Sequence, residues 1–230
     1  MSGHAGMDRL TYPGDDVMTN LWNHTNLEWT GFYLAPAPSQ HYKGWMSKFQ
    51  FLNNLGWGFA PIYVGQQSQG PGSKVLTTSQ GSTDANDAAN LARQAGFLNR
   101  SVIYLDFEQW DLPLKQPAKD YFAAWSQGVF DAAFYPGLYC NYHLAHLFDQ
   151  VGFRPVTWVY RVNYPKKTYD HGPDPDPIDS GIFTASVWQL AQGCGLKYKD
   201  DNDRTHVLQH VDFDTADTAD PSNFLDLAGS

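Results

Sequence analysis

Two cysteines in 230 residues, Cys140 and Cys194, are too few for a disulfide scaffold, and the sequence leaves open whether they pair. Positive charge is scarce as well. Fifteen Lys and Arg stand against 24 Asp and Glu, a formal charge of −9, and no local run of basic residues offsets it. Such a chain repels a phosphate backbone, which excludes nucleic acid as the expected partner. No apolar run is long enough to cross a bilayer, and residues 1–14 lack the basic and then apolar stretches of a secretory signal. The localisation therefore stays open: a wall-directed protein would work in an extracellular or periplasmic space, reached by a route the sequence does not display. Internal repeats and domain boundaries are also absent, so residues 1–230 are expected to form one domain and to act as a monomer.

Hydrophobic residues make up 42% and charged residues only 17%, the balance of a globular chain with an uncharged polar surface. The aromatic content is 8 Trp, 13 Tyr and 14 Phe. Rings of this kind fill cores and also stack on sugar faces. Trp22, Trp45, Trp57 and Trp125 are expected between helices and sheet, and Trp110, Trp158 and Trp188 nearer a cleft.

Short apolar runs are predicted as strands at residues 6–10, 29–35, 57–64, 102–105, 137–141 and 156–163. Helical spacing falls between them, after Asp15 and Asp16, over 45–55, from Thr83 or Asp84 to Ala95, over 118–134, and through His143, Leu147 and Val151. Strict alternation of this kind is the signature of parallel βα units. A Gly- and Ser-rich stretch from Gly65 to Ser82 is long for a compact domain, as functional loops are. After Asn163 the helices stop. A Pro- and Asp-rich loop over 165–180 is followed by strands at 183–191 and 207–213, with a polar turn over 196–204 between them. Eight strands, with helices only between the early ones, imply a closed α/β barrel whose last third has lost its helices.

The segment Ser101 to Trp110, Ser-Val-Ile-Tyr-Leu-Asp-Phe-Glu-Gln-Trp, ends a buried strand in two carboxylates, Asp106 and Glu108. Charges there are costly to desolvate and call for a reason, either an acid/base pair or an ordinary cap and salt bridge. In a closed barrel they would meet Asp8, Gln189, Asp212 and Asp214 at one rim, with Tyr33, Tyr63, Tyr139 and Trp188 lining it. Several carboxyls around an aromatic cleft suit glycoside hydrolysis, in which one protonated acid serves the leaving oxygen and an ionised group faces the developing cation.

The first strand with Asp8, Tyr104-Leu-Asp-Phe-Glu108, Trp188-Gln189 and Val211-Asp-Phe-Asp214 resemble the glycoside hydrolase family 25 muramidases. They resemble more closely the bacterial glycoside-hydrolase-like domains related to those enzymes. Gly31-Phe-Tyr-Leu34 and Pro136-Gly-Leu-Tyr139 extend the resemblance along the chain. It implies a single TIM-like barrel of (β/α)5(β)3 type that cleaves the N-acetylmuramic acid to N-acetylglucosamine bond of peptidoglycan or a related amino-sugar glycan, without a cofactor or metal. Glu108 would be the general acid. Asp106 would assist the cation or orient an N-acetyl group, and Asp8 and Asp212 would complete the ring. Tyr33, Tyr63, Tyr139, Trp188, Gln189, Arg161 and Asp214 would bind the glycan. The sixth strand departs from the muramidase pattern by carrying Arg161, which in the cleft would pair with a carboxylate and lower its pKa.

Two other classes fit the same residues. One is a glycan-binding barrel without turnover. The other is a metal-dependent phosphoesterase using Asp106, Glu108, Asp212 and Asp214 as hard oxygen ligands. His143 with His146, and His206 with His210, have ligand-compatible spacing but no third partner, and are expected at the surface.

Overall fold

The computed structural model describes residues 2–108, 113–151 and 155–223. Trp110 and residues 224–230 lie outside them. Strands β1 (His4–Asp8), β2 (Trp29–Tyr33), β3 (Gly58–Val64), β4 (Val102–Asp106), β5 (Tyr135–Asn141) and β6 (Val156–Tyr160) pair in parallel, each with the next. Helices follow the first five: α1 (Asp15–His24), α2 (Phe49–Leu55), α3 (Thr78–Ala95), α4 (Gln116–Asp131) and α5 (Tyr142–Val151). The next stretch holds a two-residue strand, β7 (Thr168–Tyr169), and a 3-10 turn at Pro177–Ser180. Then β8 (Ala185–Lys199) pairs in parallel with β6, and β9 (Thr205–Ala216) runs antiparallel between β8 and β1. That pairing closes an eight-stranded α/β barrel with five helices, the barrel expected from the alternation. β7 hangs on the outer half of β8.

Side chains alternate across each strand, so the wall has two apolar faces. The outer face packs against the helices and buries Trp45 and Trp125; Trp22 and Trp57 meet at a tilt with centroids 5.5 Å apart, as expected for packing aromatics. The inner face buries Trp29, Ile62, Val102, Tyr104, Trp158 and Val187. Trp158 is the hub: Trp29, Tyr104 and Tyr139 meet it edge-to-face at 5.6, 5.5 and 5.4 Å. Room for these rings comes from residue 6, where a Cβ would lie 2.1 Å from the Trp29 ring, so that only glycine fits.

Most bounds shift by a few residues, as at β1, α2, β6 and β9, and two differences have a clear physical cause. α3 begins at Thr78, earlier than Thr83 or Asp84, because the Thr77 hydroxyl accepts from Gln80 N at 3.1 Å and caps the chain there. Its first turn is Ser- and Thr-rich and therefore looks like loop. β8 continues to Lys199, well past Ala191, since the β8–β9 hairpin rises beyond the barrel with one face in solvent. Only its tip turns, where Asp200 Oδ1 accepts from Asn202 N and Arg204 N, each at 2.9 Å. Both cysteines are buried and free. Among the described residues, no helix is long and apolar enough to cross a membrane.

Replacing Trp158 by Ala should cost about 3–5 kcal/mol of unfolding free energy in a denaturant titration, because it empties the barrel centre. The exposed Phe183 should cost under ~1 kcal/mol on the same change.

Candidate active site

The mouth of the barrel is built from strand ends. Asp8 ends β1, Tyr33 ends β2 and Asp106 ends β4; Tyr139 lies near the end of β5 beside Asp106. β9 contributes differently because it runs the other way. Asp212 is in register with Asp8 and stands at the rim, whereas Asp214 is in register with Gly6, one layer deeper. Asp8, Asp106, Glu108 and Asp212 consequently line one cavity of about 130 Å³ with Tyr33, Tyr139, Trp158, Gln189 and Gln192.

Specific contacts hold each group. The Tyr33 hydroxyl donates to Asp8 Oδ1 at 2.6 Å. Tyr139 donates to Gln189 Oε1 at 2.5 Å, and Gln189 Nε2 donates to Asp212 Oδ2 at 2.9 Å. β8 bulges here: Ala191 pairs with Phe213 and Cys194 with Val211, so Gln192 and Gly193 together face Asp212. The bulge turns the Gly193 N–H onto Asp212 Oδ1 at 2.6 Å. The Asp106–Glu108 turn is bracketed by Gln67, whose Nε2 donates to Asp106 O at 2.8 Å and whose Oε1 accepts from Glu108 N at 2.9 Å. Gln67 belongs to the long loop after β3. Neighbouring Gln66 anchors that loop, donating to Asp84 Oδ2 at 3.0 Å and accepting from Val75 N at 2.9 Å. No residue pattern marks Gln67; its place in a loop leaving the C-terminal end of a barrel strand is the one available signal.

Burial sets the electrostatics. It pushes the Asp8 carboxyl up to about 8, aided by the negative charge of Asp212 and opposed by the Tyr33 hydrogen bond. Asp106 lies well above the usual carboxylate range, again through burial first and then Glu108 and Asp8. Asp212 is raised less freely, because Gly193 N–H, Gln189, Lys166 and His210 all favour its charged form against burial.

Several expected site residues lie elsewhere. Asp214 is fully buried, accepts from Trp158 Nε1 at 3.0 Å and sits beneath the mouth, so its antiparallel strand removes it from substrate reach. Tyr63 follows the inward-facing Ile62 and therefore points outward, its hydroxyl donating to Asp87 Oδ2 at 3.0 Å on α3. The same parity turns Trp188 outward between Val187 and Gln189, where its Nε1 donates to Arg161 O at 2.8 Å. Arg161 also leaves the cleft: its guanidinium lies 4.2 Å from the Tyr142 ring centroid and donates to Ser180 O. Arg161, just past the end of β6, is thus no partner of the carboxyl ring. His143 is exposed, His146 stacks on Tyr142, and His206 pairs with Asp200 Oδ2 at 3.0 Å. Among the described residues, no cluster of three or more His, Cys, Asp or Glu is arranged to hold a metal ion.

The cavity opens on both sides. Past Asp106 and Glu108 it continues into a groove of about 380 Å³ lined by Ser39, Val64, Gln67, Gln69, Gly70 and Pro71. Past Asp8 and Asp212 it continues into one of about 450 Å³. The three spaces share their lining acids and together form a trough with those acids at its waist.

The family described as Rv2525c-like, glycoside hydrolase-like domain matches residues 21–211. The chain belongs to this family. Mycobacterium tuberculosis Rv2525c, a Tat-secreted protein solved with L-tartrate, shares the family's barrel with it at a TM-score of 0.61 and 17% identity, over 93% of this chain and 95% of that one. The catalytic domain of endolysin ply40, from bacteriophage P40 of Listeria monocytogenes, is similar at 0.61 and 16%, over 97% of each chain. The modular autolysin LytC of Streptococcus pneumoniae, solved with a synthetic peptidoglycan ligand, is similar at 0.60 and 12%, over 92% of this chain and 46% of that one. A comparison with curated protein sequences returns no match.

In the folded chain Asp8, Asp106 and Asp214 keep protons that an unfolded chain, with carboxyls near 3.8, has lost. Folding therefore takes up protons, and stability falls as pH rises from about 4 toward 8. Denaturant midpoints should decline from roughly pH 5 to 8, and Asp214→Asn, which still accepts from Trp158, should flatten the slope. A level profile for the native protein would show that the ring is ionised.

Proposed function

We propose that the protein is a peptidoglycan-directed glycoside hydrolase that cleaves the β-1,4 bond between N-acetylmuramic acid and N-acetylglucosamine. The observation that carries this reading is the meeting of Asp8, Asp106, Glu108 and Asp212 around one cavity, at the waist of a trough open at both ends. The likeness of the fold to an autolysin solved with a peptidoglycan ligand supports the substrate class.

Glu108 is the exposed member of the ring and the one reachable by a leaving-group oxygen, so it is assigned as general acid. Its proton passes to the glycosidic oxygen as the C1–O bond breaks. The positive charge growing at C1 needs an ionised neighbour. Asp212 is assigned that part, since the Gly193 N–H, the Gln189 amide, Lys166 and His210 all favour its charged form against the burial that raises it. Asp8, holding its proton up to about 8, and Asp106 beneath Glu108 are suited to orient an N-acetyl group by donating rather than by repelling. Tyr33 and Tyr139 frame the sugar. Water then adds at C1 and returns a proton to the ring.

A second reading, a barrel that holds glycan without cutting it, draws on the narrowness of the 130 Å³ cavity. Glu108→Gln separates the two. For an enzyme, reducing-end release from purified cell walls should fall about 10²–10⁴-fold while wall binding persists. Native protein that binds walls and releases nothing would leave the binding reading, and unaltered release by the variant would remove Glu108 from the chemistry. Gln67→Ala should lower turnover more than binding, because it unbrackets the turn that aims Glu108.

A further inference from the structure

The two ends of the trough differ in charge. The end beyond Glu108 is lined by Ser39, Gln67, Gln69, Gly70 and Pro71, with no cation among the described residues. The end beyond Asp212 brings together Arg9, Lys166 and His210. In a chain carrying −9 overall, three basic side chains on one wall of an acidic site need a reason.

Ion pairing within the protein does not supply one. Lys48, Lys197 and Lys199 are paired to Asp15, Asp170 and Asp203. Arg9, Lys166 and His210 make no side-chain hydrogen bond or salt bridge among the described residues, and Arg9 Nε is withdrawn from solvent without an acceptor. The fold nonetheless fixes where each one stands. Arg9 directly follows Asp8, and its carbonyl accepts from Trp45 Nε1 at 3.1 Å. Lys166 lies across the β8 bulge, where a Cβ on Gly193 would come within 3.0 Å of its Nζ. His210 is itself a bulge residue at φ 57, left over between the Gly195–Gln209 and Cys194–Val211 pairs. Non-glycine residues in that conformation are strained by about 1 kcal/mol or more, and bulges re-aim side chains beside active sites. Lys166 and His210 already act on Asp212 through space, yet one carboxylate cannot balance both Arg9 and Lys166 with an imidazole beside them.

Resting on the glycan reading above, we propose that this end of the trough is a subsite for an oxyanion carried by the sugar next to the cleaved bond. The guanidinium supplies a planar fork and the ammonium a point charge, a pairing suited to a carboxylate or a phosphate. Two sources present that chemistry: the free lactyl carboxylate of a muramic acid without its peptide, or a phosphate ester on a sugar hydroxyl. The subsite makes the protein selective for denuded or phosphorylated strands over neutral ones.

The test uses the full chain with Glu108→Gln, so that ligands survive, and calorimetric titration with three soluble strands of alternating amino sugars. One keeps its lactyl carboxylates, one has them converted to methylamides, and one is the methylamide strand carrying sugar phosphates. An anionic strand should bind about tenfold more tightly than the neutral one, with the difference shrinking as salt rises. Preference for the first or the third strand names the source. Adding Lys166→Ala, at an exposed position, should erase most of the difference, and Arg9→Gln with Lys166→Ala should erase the rest. Equal binding of all three strands, or discrimination that survives the double change, overturns the subsite and leaves the glycan reading intact. Failure of every strand to bind overturns both.

Discussion

Closure of the sheet by a strand that runs backwards is the constraint on which the mouth depends. Seven parallel strands would present only their C-terminal ends at the rim. β9, inserted antiparallel between β8 and β1, descends past that rim and sets Asp212 opposite Asp8. Its next inward residue, Asp214, is carried into the barrel and held by Trp158, the ring on which the inner core converges. The carboxyl cluster and the aromatic core are therefore one structure, joined through the Trp158 indole N–H and through Tyr139, which packs on Trp158 and reaches Asp212 by way of Gln189.

A cluster of this kind opposes folding. Carboxyls stripped of water and facing one another keep protons, and proteins retain such arrangements where chemistry or binding uses them. The surrounding donors are unevenly shared: Asp212 receives an amide, a backbone N–H and the field of nearby cations, while Asp8 receives one tyrosine hydroxyl. Burial raises both acids, yet only at Asp212 do several neighbours favour the charged form, so two acids paired across the rim resist ionisation to different degrees.

Much of this was legible in the sequence, and the failures have a common cause. Alternating strand and helix signals, the loss of helices after Asn163 and the acids closing each strand pointed to the barrel and to Asp8, Asp106, Glu108 and Asp212. Strand direction and side-chain parity were not readable. Val187, Trp188 and Gln189 are all buried, so nothing in their polarity says that Gln189 turns inward and Trp188 outward. Tyr63 was misplaced for the same reason, Asp214 because an antiparallel strand reads like a parallel one, and Arg161 because its partners, Tyr142 and the Ser180 carbonyl, come from distant segments. Gln67 bonds backbone atoms about forty residues away, which no local pattern records.

The Gly193 bulge carries a conflict of its own. A backbone N–H aimed at Asp212 is one that cannot serve the ladder between β8 and β9, so continuous pairing and a charged rim acid exclude each other. Deleting one residue from Gln192-Gly193 would remove one of the three irregularities in the ladder while disarming the acid beside it. Selection for a sturdier hairpin alone would therefore erode the mouth, and the irregular ladder is a sign that something other than stability has shaped it.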